Sequence, residues 1–418
     1  MSTDKKQPPI PMTIWVIGVV ALLVNLSSIM IYSLSPLYLT HVFGLSLLSL
    51  GLLEGFIEFT AWSTRIFAGM ISDYFQKRKP LLILAYALTL LTRPLFAFAP
   101  SLGWIYAAKI IDRFSNGIQA TPREALVADA APHEIKGACY GLRQSLSVIG
   151  SVIGAILVMI LMRQTDNDYP FIFLAASLPL LLALFVLIIF IKETPQKASS
   201  DDTSSKKFSF YTIFRLKKNF WRLILVSGIF MLSNYGSTYR ILRAESLGFL
   251  ASDIAIVMII QNLGIMLASF PIGKLSDRYD RRIYLGIGFI ITILSNLVWG
   301  IQGGQLEVSI ATALWGVQMG ITQSVMATMV ADNAEKELRG TAFGIYYFVM
   351  GTALFLANSS TGFLMETYGI TEALTLSSFF AIAGILLLPI ICITPTSDFH
   401  QDISLPHHEE KRRLQSPH

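Results

Sequence analysis

Long apolar runs are the feature that most limits what this chain can fold into. The run LLLALFVLIIFI covers residues 180–191, and FFAIAGILLLPIICI covers residues 379–393. Each lies within a longer apolar span that approaches the roughly 20 residues a helix needs to cross about 30 Å of hydrocarbon. The chain is therefore predicted to be an all-α membrane protein.

Windows of this length predict twelve transmembrane helices. The composition agrees, because 53% of the residues are hydrophobic and only 14% are charged, whereas about a quarter are charged in soluble proteins. The connecting segments are too short for a soluble domain, and MSTDKKQPP at the N-terminus lacks a cleavable signal pattern, so we expect the first span to be retained. The predicted spans are 13–34, 47–71, 80–98, 103–121, 137–162, 169–191, 219–242, 251–275, 283–302, 306–329, 341–365 and 371–393.

The basic residues predict the orientation of these spans. When twelve spans are threaded, most of the 32 Lys and Arg fall in the tails and loops of one side, and the loops of the other side hold almost none. By the positive-inside rule we expect an inner or plasma membrane protein whose N- and C-termini are both cytoplasmic. The net charge of +5 is thus explained by topology, and we expect no nucleic-acid partner.

Cysteine and histidine give no sign of a cofactor. Cys139 and Cys392 lie near the cytoplasmic ends of predicted helices, and the six histidines lie outside the spans. We therefore expect no disulfide, no metal site and no cofactor.

The chain divides into two similar halves. VADAAPHEIKGACYG at 127–141 returns as VADNAEKELRGTAFG at 330–344, and GMISDYFQKR at 69–78 returns as GKLSDRYDRR at 273–282. Two matches at nearly one offset indicate an internal repeat of six helices, with a site between the two bundles near mid-membrane. We expect a cytoplasmic N-terminal tail at 1–12, an N-terminal six-helix bundle at 13–191, a Ser-, Lys- and Asp-rich cytoplasmic linker at 192–218, a C-terminal six-helix bundle at 219–394 and a cytoplasmic C-terminal tail at 395–418.

These motifs resemble those of the major facilitator superfamily. The family's signature G-x-L-x-D-R-x-G-R-R lies between helices 2 and 3 and is echoed between helices 8 and 9. GKLSDRYDRR is similar to it, with Asp280 in place of the second Gly. In the other copy, GMISDYFQKR, Tyr74 and Gln76 replace the Arg and the Gly. RFSNG at 113–117 resembles the helix 4 pattern R-x-x-Q-G, with Asn116 in place of Gln. The resemblance covers essentially the whole chain. It implies two six-helix bundles in a monomer whose partners are the lipid bilayer, a small solute and protons or sodium ions.

The repeated loop predicts a gate. An Asp at the cytoplasmic end of a helix, facing basic side chains and the N-terminus of a neighbouring helix, can form charge-assisted bonds in one conformation and lose them in another. Glycine permits the close helix approach that such a latch needs. The alternative is that the basic residues only anchor the topology, which leaves the repeated Asp unexplained. We expect these residues to hold the cytoplasmic side shut when the protein faces outward: Gly69, Asp73, Arg78, Gly273, Asp277, Arg278, Arg281 and Arg282, with Asp129 and Asp332 of the other repeated segment.

Charged residues within the spans are concentrated in the first half. Each costs about 2.5 kcal/mol or more at the bilayer centre unless it is paired or hydrated, so such residues indicate function. Glu58 is the first candidate for proton coupling, because a carboxylate in a low-dielectric site binds a proton more readily than in water. A permanent ion pair of Glu58 with Arg113 or Arg65 is the open alternative. The proton-coupling candidates are Glu58, Glu54, Asp112 and Arg113.

The second half carries neutral polar and aromatic residues at equivalent depths. This asymmetry suggests that the first bundle handles protons or ionic groups, while the second supplies hydrogen bonds and stacking to a solute. Arg113, which is always charged, can also bind an anionic group of the solute. The substrate-cavity candidates are Tyr32, Arg113, Asn116, Asn234, Tyr235, Asn262, Trp315, Gln318 and Tyr346.

Together these features predict a secondary active transporter that moves a small organic solute by alternating access, coupled to protons. The basic residues of the first bundle favour an anionic or carboxylate-bearing solute, such as a metabolite, amino acid or siderophore. A multidrug/proton antiporter is the alternative, although IGSVIGAIL at 149–157 lacks the Pro of the helix 5 pattern G-P-x-x-G-G that is frequent in such antiporters. A membrane sensor that does not transport is a minor alternative. The spans hold no His, Cys cluster or G-x-S-x-G run, and no P-loop is visible, so we expect no enzyme.

Overall fold

The computed structural model describes residues 9–75, 78–132, 135–191, 216–276, 279–301, 303–333 and 339–391. These ranges form fifteen α-helices and no β-strand, in agreement with the predicted fold class. The helices are α1 (Met12–Tyr32), α2 (Ser35–His41), α3 (Leu47–Phe75), α4 (Arg78–Ala97), α5 (Leu102–Ala130), α6 (Lys136–Gln164), α7 (Tyr169–Ala175), α8 (Ser177–Phe190), α9 (Lys218–Met231), α10 (Ser237–Ser246), α11 (Ala255–Ser276), α12 (Arg281–Gly300), α13 (Gln305–Asp332), α14 (Arg339–Thr367) and α15 (Ile370–Leu387), and a 3₁₀ turn follows at Leu388–Ile390.

Within the described residues these helices make twelve rods, because three rods are broken into two helices each: α1 with α2, α7 with α8, and α9 with α10. Seven of the described helical segments are long and apolar enough to cross a membrane. Two of the others, α3 and α5, carry most of the charged residues that the sequence places inside the spans. The charges lower their hydropathy, although each has 29 residues and is long enough to cross.

The first six rods, α1–α8, pack as one bundle, and α9–α15 pack as a second. Close approach of α1 and α6 depends on Gly150, since a Cβ there would meet the backbone of Leu22. Between the bundles, α3 packs along α14, and α6 packs along α11. Gly51 of α3 lies against Gly362 and the backbone of Asn358, so these two helices approach each other at small residues.

The breaks in the first and seventh rods lie at matching places of the two repeats. One break follows Tyr32, where Pro36 lies in the first turn of α2. The other covers residues 232–236 and contains Tyr235, which is separated from Tyr32 by the same number of residues as Asp332 is from Asp129. Asn358 supports the second break, because its Oδ1 accepts a hydrogen bond of 2.8 Å from Gly236 N. Broken helices at equivalent positions are typical of transporter binding sites, where the freed backbone lines the centre of the protein.

The two bundles contact each other through polar groups at one end. We call the end at which α8 finishes and α9 begins the linker end, and the other the opposite end. At the opposite end Arg163 Nη2 lies 2.6 Å from Asp253 Oδ1, and His41 Nε2 lies 3.0 Å from Glu245 Oε1. Leu48 N also donates to Glu366 Oε2 at 2.7 Å. The described conformation is therefore closed at the opposite end.

Candidate functional site

Glu58 and Arg113 form an ion pair between α3 and α5. Arg113 Nη1 lies 3.2 Å from Glu58 Oε1, and the guanidinium carbon lies 4.3 Å from the centre of the Tyr32 ring. The Arg113 side chain is 20% exposed and the Glu58 side chain 25%. Both groups are thus paired and yet accessible, which leaves room for a small molecule or a proton to reach them.

Asp112 is buried in a second cluster, which joins three helices. Its Oδ1 accepts from Arg93 Nη1 at 2.9 Å, and its Oδ2 accepts from the Tyr32 hydroxyl at 2.6 Å. Arg93 Nε also donates to Ser27 Oγ at 3.0 Å. Arg93 is 0% exposed. The cluster connects α1, α4 and α5; Ser27, Arg93 and Asp112 are buried in it, whereas Tyr32 is partly exposed.

Glu54 pairs with Lys109, again between α3 and α5. Both residues are buried. Glu54, Glu58 and Asp112 thus each have one basic partner in the described structure: Lys109, Arg113 and Arg93. Arg65, two turns from Glu58 on α3, instead packs over the Trp62 ring at 4.6 Å and near Tyr347 at 5.9 Å.

The second bundle contains a neutral counterpart of the Asp112 cluster. The Tyr235 hydroxyl donates to Asn296 Oδ1 at 3.2 Å, and Asn296 Nδ2 donates to Ser377 Oγ at 2.8 Å. Tyr235 and Asn296 occupy the positions in the second repeat that Tyr32 and Arg93 occupy in the first. The two halves therefore share one hydrogen-bonding plan, charged in the first and uncharged in the second.

The other cavity candidates of the second half are spread over several environments. Gln318 Nε2 donates to Asn234 Oδ1 at 3.2 Å, which joins α13 to the break between α9 and α10. Trp315 is buried and packs against Tyr235, with ring centres 4.6 Å apart and the ring planes tilted by 45°. Asn262 is partly buried and donates to the carbonyl of Met258 in its own helix.

Two candidates lie apart from these groups. Tyr346 is buried against Trp62 across the interface of the bundles, with ring centres 6.5 Å apart. Asn116 is partly buried on α5, one turn beyond Arg113. The structure thus brings Tyr32, Arg113 and Glu58 together, and it places Trp315 and Tyr346 within packed cores.

The predicted gate residues that the structure describes make contacts within their own bundles. Arg78 at the start of α4 pairs with Asp129 at the end of α5, and Arg281 at the start of α12 pairs with Asp332 at the end of α13. The two pairs are equivalent in the repeat. The backbones of Gly69, Asp73 and Gly273 lie in α3 and α11. Their side-chain positions, and all of Asp277 and Arg278, lie outside the described residues.

Asp280, which replaces the second Gly of the loop signature, has a structural role at the start of α12. Its Oδ1 accepts from Arg282 N at 3.0 Å and so caps α12. Its Oδ2 accepts from Arg282 Nη2 at 2.7 Å. These hydrogen bonds from Arg282 lower the pKa of Asp280 below its usual range. Arg282 Nη1 further donates to the carbonyl of Ile391, which ties the start of α12 to the end of the last rod.

Sequence reasoning did not identify Asn296 and Asn358 as structural partners of this region. Asn296 could have been found by comparing the repeats, because it occupies the position of the intramembrane Arg93. No pattern in the sequence indicates that Asn358 of α14 supports a break in another helix. The described residues contain no group of three or more His, Cys, Asp or Glu that could hold a metal, and Cys139 is buried and unpaired.

Comparison with known proteins gives consistent matches along the chain. The sequence matches the model of the Major Facilitator Superfamily over residues 17–242 and 238–415. An uncharacterised MFS-type transporter of Methanocaldococcus jannaschii is 28% identical over 384 residues, which cover 90% of this chain and 94% of that protein. A homologue of the multidrug resistance efflux pump PmrA from Lactococcus lactis is 23% identical over 264 residues, or 62% of this chain and 64% of that protein. Among solved structures, a D-xylose–proton symporter has a TM-score of 0.73 at 14% identity and covers 92% of this chain and 98% of its own.

Proposed function

Because the chain belongs to the Major Facilitator Superfamily, we propose that it is a proton-coupled secondary transporter of a small organic anion, such as a carboxylate-bearing metabolite. One observation carries the proposal: of the three described ion pairs whose residues both lie within the predicted spans of the first bundle, only that of Glu58 with Arg113 is accessible. A transport site has to be reached by the solute, and a coupling site has to be reached by a proton. The Glu58 and Arg113 pair meets both requirements.

The enclosed pairs have a different role. Arg93 with Asp112, and Lys109 with Glu54, are buried and therefore cannot exchange partners without opening the bundle. Removing one partner of such a pair leaves an uncompensated charge in low dielectric, which is strongly destabilising. We assign these two pairs to holding α3, α4 and α5 in place around Arg113. Asp112 also fixes Tyr32, whose ring supports the Arg113 guanidinium.

Competition for Arg113 couples the anion to the proton. A carboxylate of the solute binds the Arg113 guanidinium in bidentate geometry and displaces Glu58. The released Glu58 carboxylate lies in a low-dielectric site without its cation, which favours uptake of a proton. Solute and proton then occupy the site together, and each stabilises the binding of the other. Neutral groups of the second bundle, among them the partly buried Asn262 through its amide oxygen, then hydrogen-bond the rest of the solute.

The conformational change converts the closed opposite end into an open one. In the described conformation Arg163, His41 and Glu366 make contacts that hold this end shut. We place the opposite end on the outer side of an inner or plasma membrane and the termini in the cytoplasm, as the distribution of Lys and Arg favours. The loop residues Asp73 and Asp277 form the latch of the alternate, outward-facing state. Asp277→Asn is then expected to slow transport and to leave solute binding largely intact. Unchanged transport in this variant would contradict the proposed latch.

Proton-coupled efflux of a drug is the second candidate. It is favoured by the similarity to the Lactococcus lactis efflux-pump homologue and by the same accessible carboxylate, which a cationic drug could take from Arg113. In that case drug and proton compete for Glu58, and the two move in opposite directions. Both candidate functions use Glu58 and Arg113. They differ in whether the solute and the proton move in the same direction or in opposite directions.

The test is proton movement in proteoliposomes that contain an internal pH dye, with a panel of carboxylates, amino acids, siderophores and cationic drugs added outside. Proton entry together with a carboxylate, lost in Glu58→Gln, supports the proposal. Proton exit on entry of a cationic drug supports efflux. Asp166→Asn is the matched control, because it makes the same change in an exposed loop. Solute flux without a pH change, equal in both variants, would contradict proton coupling and assign Glu58 to a structural pair.

A further inference from the structure

An apolar groove lies between α9 and α14 of the second bundle, and we call it the α9–α14 groove. Its volume is about 520 Å³. Four apolar side chains of its walls are about half exposed, namely Trp221, Leu225, Phe348 and Leu356. Among the described lining residues only Thr352 has a polar side chain. A large exposed apolar surface on a membrane protein is suited to contact with lipid.

Comparison of the repeats explains why the groove is present. The equivalent helices of the first bundle, α1 and α6, approach closely at glycines, because a Cβ at Gly18, Gly150 or Gly154 would collide with the partner helix. The equivalent positions of the second repeat hold Trp221, Ala353 and Ala357. These side chains prevent the same close approach, so that α9 and α14 leave a space between them.

The groove has the length of one lipid acyl chain. Its α9 wall extends from Trp221 to Leu232, where α9 ends at the break in its rod. This stretch of helix rises about 17 Å, at 1.5 Å for each residue. One leaflet contributes about 15 Å of hydrocarbon, which is half of the membrane core. The α9–α14 groove thus spans the leaflet at the linker end.

Basic side chains lie at the end of the groove where the head group of such a lipid is expected. Lys217 and Lys218 are exposed at the start of α9. Lys218 precedes Trp221 by three residues and Leu225 by seven, so these side chains lie on one face of the helix. Positive charge next to an apolar groove complements a lipid with a negatively charged head group.

We propose that the α9–α14 groove binds one anionic phospholipid, with an acyl chain between the two helices and the phosphate at Lys217 and Lys218. The chain occupies the space that close helix packing removes in the first bundle. The head group holds the start of α9 at the membrane surface. Because α9 leads directly to the helix break at 232–236, the lipid stabilises the position of that break. A second copy of this chain seated in the groove would not require the two lysines.

The test is native mass spectrometry of the purified full-length protein in detergent, with phosphatidylglycerol or phosphatidylcholine of identical acyl chains added. One phosphatidylglycerol is expected to bind several-fold more tightly than phosphatidylcholine. Lys217→Gln combined with Lys218→Gln is expected to weaken phosphatidylglycerol binding about ten-fold and to abolish the preference. Lys5→Gln combined with Lys6→Gln is the matched control, because it removes two charges from the N-terminal tail and is expected to retain the preference. Equal binding of the two lipids by the unmodified protein would overturn the proposal.

A second pair of variants tests the groove itself. Gly228→Leu places a side chain in the groove, where a Cβ would meet only a methyl carbon of Val349, and it is expected to abolish lipid binding. Gly141→Leu in α6 is the control, since its Cβ meets nothing within 4 Å, and it is expected to bind lipid normally. Binding that persists in Gly228→Leu would contradict the site. A lipid-free dimer that Gly228→Leu disrupts would show that a second copy covers the groove and would likewise overturn the proposal.

A measurement without a groove-filling variant keeps the proposal testable if Gly228→Leu does not fold. Phosphatidylglycerol with brominated acyl chains is expected to quench tryptophan fluorescence saturably. The saturable part is expected to be lost in Trp221→Phe and retained in Trp104→Phe, which changes an exposed tryptophan outside the groove. Quenching that is unaffected by Trp221→Phe would overturn the proposal. No solute or proton gradient is present, so the outcome is independent of the transport assay.

Discussion

Replacing Asp112 by Asn is predicted to destabilise the first bundle strongly. The substitution keeps the shape of the side chain and removes its charge, so that Arg93, which is fully buried, still donates hydrogen bonds to the hydroxyls of Ser27 and Thr92 but loses its counter-ion. Removing one partner of a buried ion pair costs about 3–5 kcal/mol. If the bundle at 13–191 unfolds as a unit, each kcal/mol lowers Tm by about 2–4 °C, so the expected loss is about 6–20 °C.

The assay is thermal unfolding in detergent, followed by tryptophan fluorescence. The double variant Asp112→Asn with Arg93→Gln removes both charges, and it is expected to recover part of the lost Tm because no isolated charge remains. Asn296→Ala serves as the neutral control, since it breaks the equivalent cluster of the second bundle at a cost of about 1–3 kcal/mol. A double variant that loses as much as the sum of the two single variants would refute the argument from charge pairing.

Further predictions concern helix packing and the closed end. Gly150→Ala is expected to cost about 1–3 kcal/mol, because its Cβ would meet the backbone of Leu22, whereas Gly141→Ala in the same helix meets nothing within 4 Å and is expected to be neutral or stabilising by about 0.5–1 kcal/mol in the same unfolding assay. Arg163→Gln is expected to change stability by about 1 kcal/mol at most, since its side chain is exposed, and to shift the population toward an open opposite end. Spin labels on the loops that follow α6 and precede α11 should show longer distances in that variant, and an unchanged distance distribution would mean that the pair does not hold the end closed.

The sequence predicted the helices well because hydropathy is a local property. The spans, the division into two repeats and the concentration of charge in the first half are all visible without a structure. The internal repeat extends beyond the matched motifs, since Tyr32 and Tyr235 lie at equivalent helix breaks.

The partners of the charged residues were harder to predict. Glu58 has Arg65 on its own helix stripe and Arg113 on another helix, and the structure pairs it with Arg113. Arg65 instead packs against aromatic rings. Of the predicted gate residues, Arg78 and Arg281 pair with Asp129 and Asp332 of their own bundles, and the latch formed by Asp73 and Asp277 stays a prediction. These choices depend on how neighbouring helices are rotated, which spacing along the chain does not specify.

The sequence by itself determined that the chain is a two-fold repeated set of membrane helices with rare charges in the first half. The helices and the rarity of charge follow from the cost of placing a residue in lipid, which depends on that residue and its near neighbours, and the repeat follows from motif matches along the chain. Only the tertiary structure decided which charge meets which, that Glu58 and Arg113 remain accessible, and that Arg65 packs against aromatic rings. Those outcomes depend on distances between helices far apart in the chain, because an electrostatic interaction is set by separation and burial and not by sequence order.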